Sequence, residues 1–382
     1  MRFLLANEKL VVAGRSFAGF PLLLDDDSKT MEPAQTFLWW LLTKPGRTSS
    51  KSTWEKYGRA IYDYFGYIYR NKVDWRNPPA EGYPGPVEGY RDWSKGTLNL
   101  DSAVINHRLR IVVRFYEWAR ERGYVEKLPF DFVSIRSGRP PGLLAHIDSA
   151  RGKIESPNIL LRQTKPTIKF LTKEQVGICI SELSNITHRL MFMLMVRTGL
   201  RQCECRSFPE KYVFNPERRA DLEGRQKIRI ALNPRDMHIK FSKPRDIDVH
   251  YDLMDELWRY SVRHRQRRER NQIAGMKYPT LFLTEAGEPF SESALAKIFG
   301  ALSARVGFSA TPHMLRHTYA TYLLWSLRKS PDFQGEPLLY VRDRMGHSDV
   351  ATTAIYLHLI NSLEGHLVLA HEDEIDKLFS GQ

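Results

Sequence analysis

The chain of 382 residues is poor in cysteine and has no long hydrophobic run. Its three cysteines, Cys179, Cys203 and Cys205, have the spacing of neither a zinc cluster nor a secreted disulfide framework. No apolar run approaches the ~20 residues of a membrane-spanning helix. Polar residues 7–9 interrupt the apolar opening, which makes it a poor signal peptide. These absences predict a soluble, cytoplasmic protein in a reducing compartment, without a membrane partner.

Acidic residues are scarce relative to basic ones. Asp and Glu number 44 against 57 Lys and Arg, which gives a formal net charge of +13 and an isoelectric point near 9.5. An excess of this size favours a polyanionic partner, with DNA or RNA ahead of an anionic membrane surface. The carboxylates form no cluster at metal-ligand spacing, which disfavours a metal nuclease. No metal or other cofactor is therefore expected.

The length of the chain favours two domains. Residues 1–28 alternate short apolar runs with glycines and predict an N-terminal arm or β-hairpin. Residues 29–132 have helical periodicity, clearest in Thr53–Tyr69 and Ala103–Arg122, and predict a small helical domain. Residues 133–169 are basic, contain several prolines and show no sustained period, so they predict a linker.

Residues 170–382 form the second predicted domain. Helical patterns fill both of its ends, whereas residues 227–249 alternate apolar and polar side chains. This alternation predicts three strands joined by turns, around Ile228–Ile230, Met237–Phe241 and Ile247–Val249. The predicted fold class is therefore mainly α, with a small antiparallel sheet.

Two segments of the second domain have an arginine near the start of a predicted helix. In Thr198–Glu204 (TGLRQCE), Gly199 ends one helix and Arg201 opens the next, where a guanidinium can bind a phosphate beside free backbone N–H groups. The alternative is a surface arginine that pairs with Glu204.

The second segment is Thr311–Thr318 (TPHMLRHT). Thr311 is a suitable N-cap and Pro312 a suitable first helical residue. His313 and Arg316 then share one helix face, where they can converge on one anion. A solvated helix face is the alternative interpretation of this pair.

A third segment, Met345–Tyr356, begins with a Gly-His pair. Gly346 can end a helix, and Ser348 can cap the next one. Tyr356 lies two turns into that helix, nine residues after His347. Taken alone, such a tyrosine is more often a core or surface residue than a nucleophile.

Together and in this order, the three segments resemble the tyrosine recombinase, or phage integrase, family. That family has an arginine in a TGLRxxE box, a lysine on a β-hairpin, an HxLRH box, a GH pair and a nucleophilic tyrosine nine residues after that last histidine. The resemblance covers roughly residues 30–382, with Met345 in place of the usual leucine. It implies a helical core-binding (SAM-like) domain followed by an α-rich catalytic domain in residues 170–382.

The resemblance implies a role for each matching residue. Arg201 and Arg316 would hold the non-bridging oxygens of the scissile phosphate, because two bidentate cations can stabilise its charge without a metal. Tyr356 would attack and give a 3′-phosphotyrosyl link with a free 5′-hydroxyl, so that rejoining needs no ATP. His313 and His347 would handle the tyrosyl proton or bond the phosphate.

The acid that protonates the 5′-oxygen is expected to be a lysine of the hairpin. Strand alternation places Lys240 opposite the apolar face, and Lys240 aligns with the family's lysine in the K-x-x-K-P-R pattern. Lys243, in the turn, remains the alternative, either as the acid or as a phosphate contact. Glu204 is expected to orient its neighbours rather than to contact DNA.

The expected DNA-binding residues are Lys243, Arg245, Arg263 and Arg267. The last two belong to an arginine-rich run that follows Trp258, and a solvated helix face explains this run equally well. The expected partner is double-stranded DNA at specific recombination sites, held between the two domains. In a bacterium this would place the protein at the nucleoid.

The acidic, amphipathic residues 363–382 predict a tail helix that does not lie on DNA. The helix either docks on its own domain or, as the resemblance implies, packs into a neighbouring protomer of a homotetramer on paired sites. Accessory proteins would be further partners.

The expected function is site-specific DNA recombination of the integrase or transposon kind. One alternative keeps the phosphotyrosyl chemistry, as a relaxing type IB-like topoisomerase or a hairpin resolvase. Tetramer formation on paired sites would separate these enzymes from the recombinase. The other alternative is a non-catalytic DNA-binding regulator, which would have no use for the tyrosine.

Overall fold

The computed structural model describes residues 1–43, 50–77, 83–136, 153–163, 168–222, 227–272, 276–350 and 352–360. The chain divides into two compact units, Met1–Lys165 and Pro166–Gln382. Both are mainly helical with short antiparallel strand pairs, which confirms the predicted fold class. None of the helices within these ranges is long and apolar enough to cross a membrane.

The first unit is built around four helices of the described ranges, α1 (Ala34–Thr43), α2 (Lys51–Arg70), α3 (Pro86–Gly96) and α4 (Ser102–Glu121). Helix α4 begins where the Asp101 carboxylate accepts a hydrogen bond from the backbone N–H of Ala103, at 2.7 Å. The apolar faces meet in an aromatic core that buries Phe37, Phe115 and Trp118. The Phe37 and Phe115 rings pack edge to face with centroids 5.4 Å apart.

The N-terminal segment, predicted as an arm or hairpin, forms two antiparallel strand pairs. Strand β1 (Arg2–Leu5) pairs with β4 (Pro21–Leu24), and β2 (Val11–Val12) pairs with β3 (Arg15–Ser16). Phe20 is fully buried in the same core as the helices, and its ring stacks on Trp39 with centroids 3.9 Å apart. Residues 1–24 are therefore packed against the helices of the first unit.

Part of the segment predicted as a linker also packs on the first unit. Strand β5 (Phe132–Arg136) pairs with β6 (Lys153–Pro157), and Ile159 is fully buried. The backbone N–H of Leu161 donates to Asn106 Oδ1 at 2.9 Å. The sequence gives little sign of this hairpin because its strands are 16 residues apart, without a short turn signal.

The second unit contains, in the part that the structure describes, a helical framework that surrounds one strand pair. Its helices are α5 (Lys173–Glu182), α6 (Ile186–Thr198), α7 (Gln202–Arg206), α8 (Tyr251–Tyr260), α9 (Gln266–Glu269), α10 (Glu292–Val306), α11 (Pro312–Lys329), α12 (Pro337–Met345) and α13 (352–360). Helix α6 is central, since Leu190 and Leu194 are fully buried and the helix packs against α5, α8 and α11.

The predicted strand over Met237–Phe241 is wrong. Within the described residues, the sheet consists of β7 (Lys227–Leu232) and β8 (Arg245–His250). The chain between them forms turns and a short 3-10 helix at Lys240–Ser242. Phe241 and Ser242 have left-handed φ angles of 66° and 50°, which a strand cannot contain. Met237 and Ile239 are buried as in a strand, which explains the misleading alternation.

Candidate active site

The junction between α6 and α7 positions Arg201. Helix α6 ends at Gly199, whose φ is 69°, and a Cβ there would lie 2.4 Å from Tyr319 Cδ1, so the turn requires glycine. Arg201 is the residue before α7, and its backbone N–H donates to Glu204 Oε2 at 2.8 Å. Its guanidinium bonds Glu204 Oε1 at 3.1 Å and reaches the Gly346 carbonyl at 3.5 Å. The pairing of Arg201 with Glu204, which was the alternative interpretation of this segment, therefore occurs, and the same guanidinium also lies near the carbonyl of Gly346.

Glu204 is fully buried and bonds a second arginine. Arg245, the first residue of β8, donates from both Nη atoms to the two oxygens of Glu204, at 2.9 and 2.6 Å. Burial alone would raise the pKa of Glu204, but hydrogen bonds and charges from Arg245 and Arg201 lower this pKa to about 2. Arg245, expected to contact DNA, instead has a side chain only 5 % exposed. Its position corrects that expectation, because the ion pair takes the guanidinium away from the surface.

Arg316 lies in the first turns of α11. The helix begins after Thr311, whose Oγ1 accepts from the Met314 N–H at 3.2 Å. The buried Arg316 guanidinium donates to the carbonyl of Gly199 at 2.6 Å and to the carbonyl of Met345. Burial and the charges of Arg201 and Arg245 lower the pKa of Arg316 to about 9, which leaves it charged at neutral pH.

His347 follows the end of α12. Gly346 ends that helix with a φ of 60°, and His347 Nδ1 lies 2.9 Å from Thr353 Oγ1 in α13. Burial and the charges of Arg316 and Arg201 lower the pKa of His347 to about 3. The His347 ring is nearly parallel to the ring of Tyr356, at 12° and with centroids 6.3 Å apart.

Tyr356 lies in α13 and is 1 % exposed. Burial raises the pKa of its hydroxyl to about 12, against the opposing charges of Arg316 and Arg201. The hydroxyl oxygen is 3.0 Å from His317 Nδ1. The pKa of His317 is lowered to about 4, mainly by burial and further by electrostatic interactions with His313 and Arg316.

His317 is the functional candidate that the sequence did not identify. It lies in the HxLRH box, one helical turn after His313, and the two imidazole centroids are 4.2 Å apart. The i to i+4 spacing of two histidines on one helix face was the available signal. Its contact with the hydroxyl of Tyr356 makes it part of the site.

Lys240 and Lys243 both lie on the exposed chain between β7 and β8. The pKa of His313 is lowered, first by partial burial and then by the positive charges of Arg316, Lys240 and Arg201. The charge of Lys240 therefore acts on the site. Its Nζ lies 5.1 Å from the ring centroid of Phe241. Lys243 lines a cleft of about 650 Å³ together with Arg344 and His347. The geometry keeps both lysines as candidates for the acid.

The arginine-rich run is divided between the surface and the interior. Arg263 and Arg267 are exposed. Arg265 is buried in ion pairs with Glu210 and Glu269, at 2.7 and 2.6 Å. Arg263 lines a cleft with Ile186 at the start of α6. Gly199 follows the other end of that 13-residue helix, roughly 20 Å away along its axis.

The residues of the three predicted boxes thus meet in one place, whereas the exposed arginines lie elsewhere. Arg316 and Arg201 reach adjacent carbonyls, those of Met345 and Gly346. Among residues whose placement is described, no group of three or more His, Cys, Asp and Glu side chains could hold a metal ion.

Known proteins are similar in sequence to this chain over most of its length. Transposase A from transposon Tn554 of Staphylococcus aureus is 24 % identical over 352 residues, which covers 88 % of this chain and 90 % of that protein. The tyrosine recombinase XerC of Lactobacillus delbrueckii subsp. bulgaricus is 24 % identical over 267 residues, covering 68 % of this chain and 73 % of XerC.

Solved structures show the same fold. The integrase of transposon Tn1549, in complex with a circular intermediate DNA, matches with a TM-score of 0.56 and 19 % identity, over 85 % of this chain and 94 % of that one. The XerH site-specific recombinase bound to its difH substrate matches with a TM-score of 0.52 and 17 % identity, over 81 % and 77 %. Residues 169–362, slightly more than half of the chain, match the phage integrase family. The chain therefore belongs to the phage integrase family of tyrosine recombinases.

Proposed function

We propose that this chain is a site-specific DNA recombinase that cuts and rejoins duplex DNA through a 3′-phosphotyrosyl bond to Tyr356, without metal or ATP. The observation that carries this proposal is the convergence of two guanidinium groups beside a buried tyrosine. Arg201 and Arg316 bond adjacent carbonyls of one loop, and the charges of both act on the Tyr356 hydroxyl.

Each group has a place in the reaction. Arg201 and Arg316 neutralise the non-bridging oxygens of the phosphate, where negative charge increases in the transition state. Tyr356 attacks the phosphorus, and Lys240 gives a proton to the departing 5′-oxygen. The exposed His313 can donate a hydrogen bond to the phosphate. Because the covalent link preserves the energy of the phosphodiester, rejoining is the reverse of cleavage.

Duplex DNA is the proposed substrate. The XerH and Tn1549 integrase structures, which share this fold, are complexes with DNA, and the net charge of +13 suits a polyanion.

The decisive experiment is covalent trapping. The chain is incubated with a nicked duplex, selected beforehand by its binding to the chain, and the product is resolved on a denaturing gel. We expect a protein–DNA adduct in EDTA, because the arginines supply the positive charge. Tyr356→Phe should bind the same DNA and form no adduct. An adduct with the Phe variant, or an absolute need for divalent metal, would overturn the mechanism.

A homotetramer on paired sites is proposed as the recombining assembly, with the C-terminal tail as its link. Residues 361–382 lie outside the described residues, so the proposal rests on their acidic, amphipathic sequence and on the family. Deletion of residues 364–382 should leave binding to a single site intact and remove tetramers on paired sites, measured by light scattering. Full tetramer formation by the truncated chain would instead favour a tail that docks on its own domain.

A further inference from the structure

The hydroxyl of Tyr356 has a basic side chain beside it that the proposed roles do not use. His317 Nδ1 lies 3.0 Å from the Tyr356 oxygen, and the two ring centroids are 5.6 Å apart. His317 projects from α11, the helix that also carries Arg316. The nucleophile and the phosphate-binding arginine are therefore linked through one rigid element.

We propose that His317 is the catalytic residue that takes the proton of Tyr356 during cleavage and returns it during rejoining. This inference rests on the proposed function, since it concerns the same reaction.

The other two histidines are less suited to this step. The His347 ring faces the ring of Tyr356 in a nearly parallel arrangement, and its Nδ1 bonds Thr353. The exposed His313 is in contact with His317 and lies in the field of Lys240 and both site arginines. A histidine in that field suits hydrogen bonding to the phosphate rather than removal of the tyrosyl proton.

The protonation states agree with this geometry. The lowered pKa of His317, about 4, keeps its imidazole neutral at pH 7, so that Nδ1 can accept a hydrogen bond from the hydroxyl while Nε2 carries the ring proton. With the pKa of Tyr356 near 12, only about one hydroxyl in 10⁵ is ionised at pH 7. Because the hydroxyl is a far weaker acid than the imidazolium, the proton moves to His317 as the bond from Tyr356 to phosphorus forms and the tyrosyl oxygen becomes acidic, so that no free phenolate is needed.

The step is balanced within the site. The bond from Tyr356 Oη to phosphorus forms as the bond from phosphorus to the 5′-oxygen breaks. The tyrosyl proton moves to His317 Nδ1, and Lys240 Nζ supplies a proton to the 5′-oxygen. Rejoining reverses both transfers, so no co-reactant is consumed.

The test separates proton acceptance from positioning. His317→Asn retains an acceptor oxygen near the position of Nδ1 but has no basic nitrogen, whereas His317→Ala lacks both. Cleavage of the nicked duplex is measured first. The second substrate is a DNA strand ending in a 3′-(p-nitrophenyl phosphate), which a 5′-hydroxyl strand can join without Tyr356. Its leaving group departs without a proton.

We expect both variants to cleave about 10²- to 10⁴-fold more slowly, the range that general-base catalysis contributes. Joining of the p-nitrophenyl strand should stay within a few-fold of the unsubstituted chain, as it should for Tyr356→Phe. His264→Asn, an exposed histidine outside the site, is the matched control and should leave both reactions unchanged.

Three results would contradict the inference. Normal cleavage by His317→Asn would show that a hydrogen-bond acceptor is sufficient and that no proton is taken. Equal loss of cleavage and p-nitrophenyl joining would show that His317 supports the whole site instead of the nucleophile. If the unsubstituted chain forms no adduct, the proposed function fails, and this inference fails with it.

Discussion

Two regions of the second unit carry the positive charge of the site, and they are built differently. The Glu204 cluster, which comprises Arg201, Glu204, Arg245 and Arg316, is held by hydrogen bonds between side chains and to backbone carbonyls. The hairpin loop, residues 233–244, presents Lys240 and Lys243 on the surface, and its Phe241 is 71 % exposed. The charges proposed to bind the phosphate are therefore preorganised, whereas the proposed proton donor lies on an exposed loop.

The charge balance of the Glu204 cluster explains what it is prepared to bind. Three guanidinium groups surround one carboxylate, which leaves two positive charges without a counter-charge inside the cluster. Holding Arg316 there is unfavourable without a ligand, since burial and the neighbouring arginines lower its pKa. In the proposed reaction, a phosphodiester that gains negative charge in the transition state would compensate for both charges, so the cluster would favour that transition state over the empty site.

The largest expected effect follows removal of a preorganised charge. Arg316→Ala should slow cleavage about 10³-fold, the upper range for loss of one oxyanion-binding group, while DNA binding changes little. The measurement is single-turnover adduct formation. Arg328→Ala, an exposed arginine of the same helix, is the control. Loss of less than tenfold would mean that the cluster does not bind the scissile phosphate.

The hairpin loop should give a smaller and chemically distinct loss. Lys240→Ala should slow cleavage about 10²-fold without changing thermal stability, because the side chain is exposed. A 5′-bridging phosphorothiolate should restore the rate, since sulfur leaves with little need for an acid. Lys243→Ala is the matched control. Should Lys243→Ala show this rescue and Lys240→Ala not, Lys243 would be the acid.

The difference between the two regions also explains which features the sequence could predict. Arg201, His313, Arg316, His347 and Tyr356 occupy fixed positions in short boxes, and the structure brings all five together. The prediction of a strand over Met237–Phe241 was wrong because the backbone of Phe241 is left-handed. The alternation of apolar and polar residues contains no information on the φ angle of a single residue.

Long-range contacts were beyond the reach of local patterns. Arg245 was expected to contact DNA. Its partner Glu204 is 41 residues away, so only the folded chain reveals the buried pair. His317 presents the same difficulty, since the Tyr356 hydroxyl that gives it a role is 39 residues further along.

The buried carboxylate gives the Glu204 cluster a pH signature. The folded-state pKa of Glu204 is about 2, against 4.5 for an unperturbed carboxyl. Its stabilising contribution is therefore present above pH 4.5 and lost as the pH falls toward 2. The difference corresponds to about 3 kcal/mol. Urea unfolding measured across this interval should show the decline.

Glu204→Gln tests the same point at neutral pH. It removes the counter-charge of two arginines and should lower the free energy of unfolding by about 3 kcal/mol. Its stability should then decline less steeply between pH 4.5 and 2. Unchanged acid sensitivity would show that Glu204 is not the carboxylate that titrates.

The smallest effect concerns the arginine-rich run, where an exposed and a buried arginine can be compared directly. Arg267 is exposed, whereas Arg268 is buried, and its guanidinium donates to the hydroxyl of Tyr260 at 2.8 Å and also bonds Glu285. If Arg263 and Arg267 contact DNA phosphates, each change to Ala should reduce the slope of log affinity against log salt by about 1. Arg268→Ala should lower thermal stability and leave that slope unchanged. Binding titrations over a series of salt concentrations decide the question, and an unaltered slope for both exposed variants would identify the run as a solvated helix face.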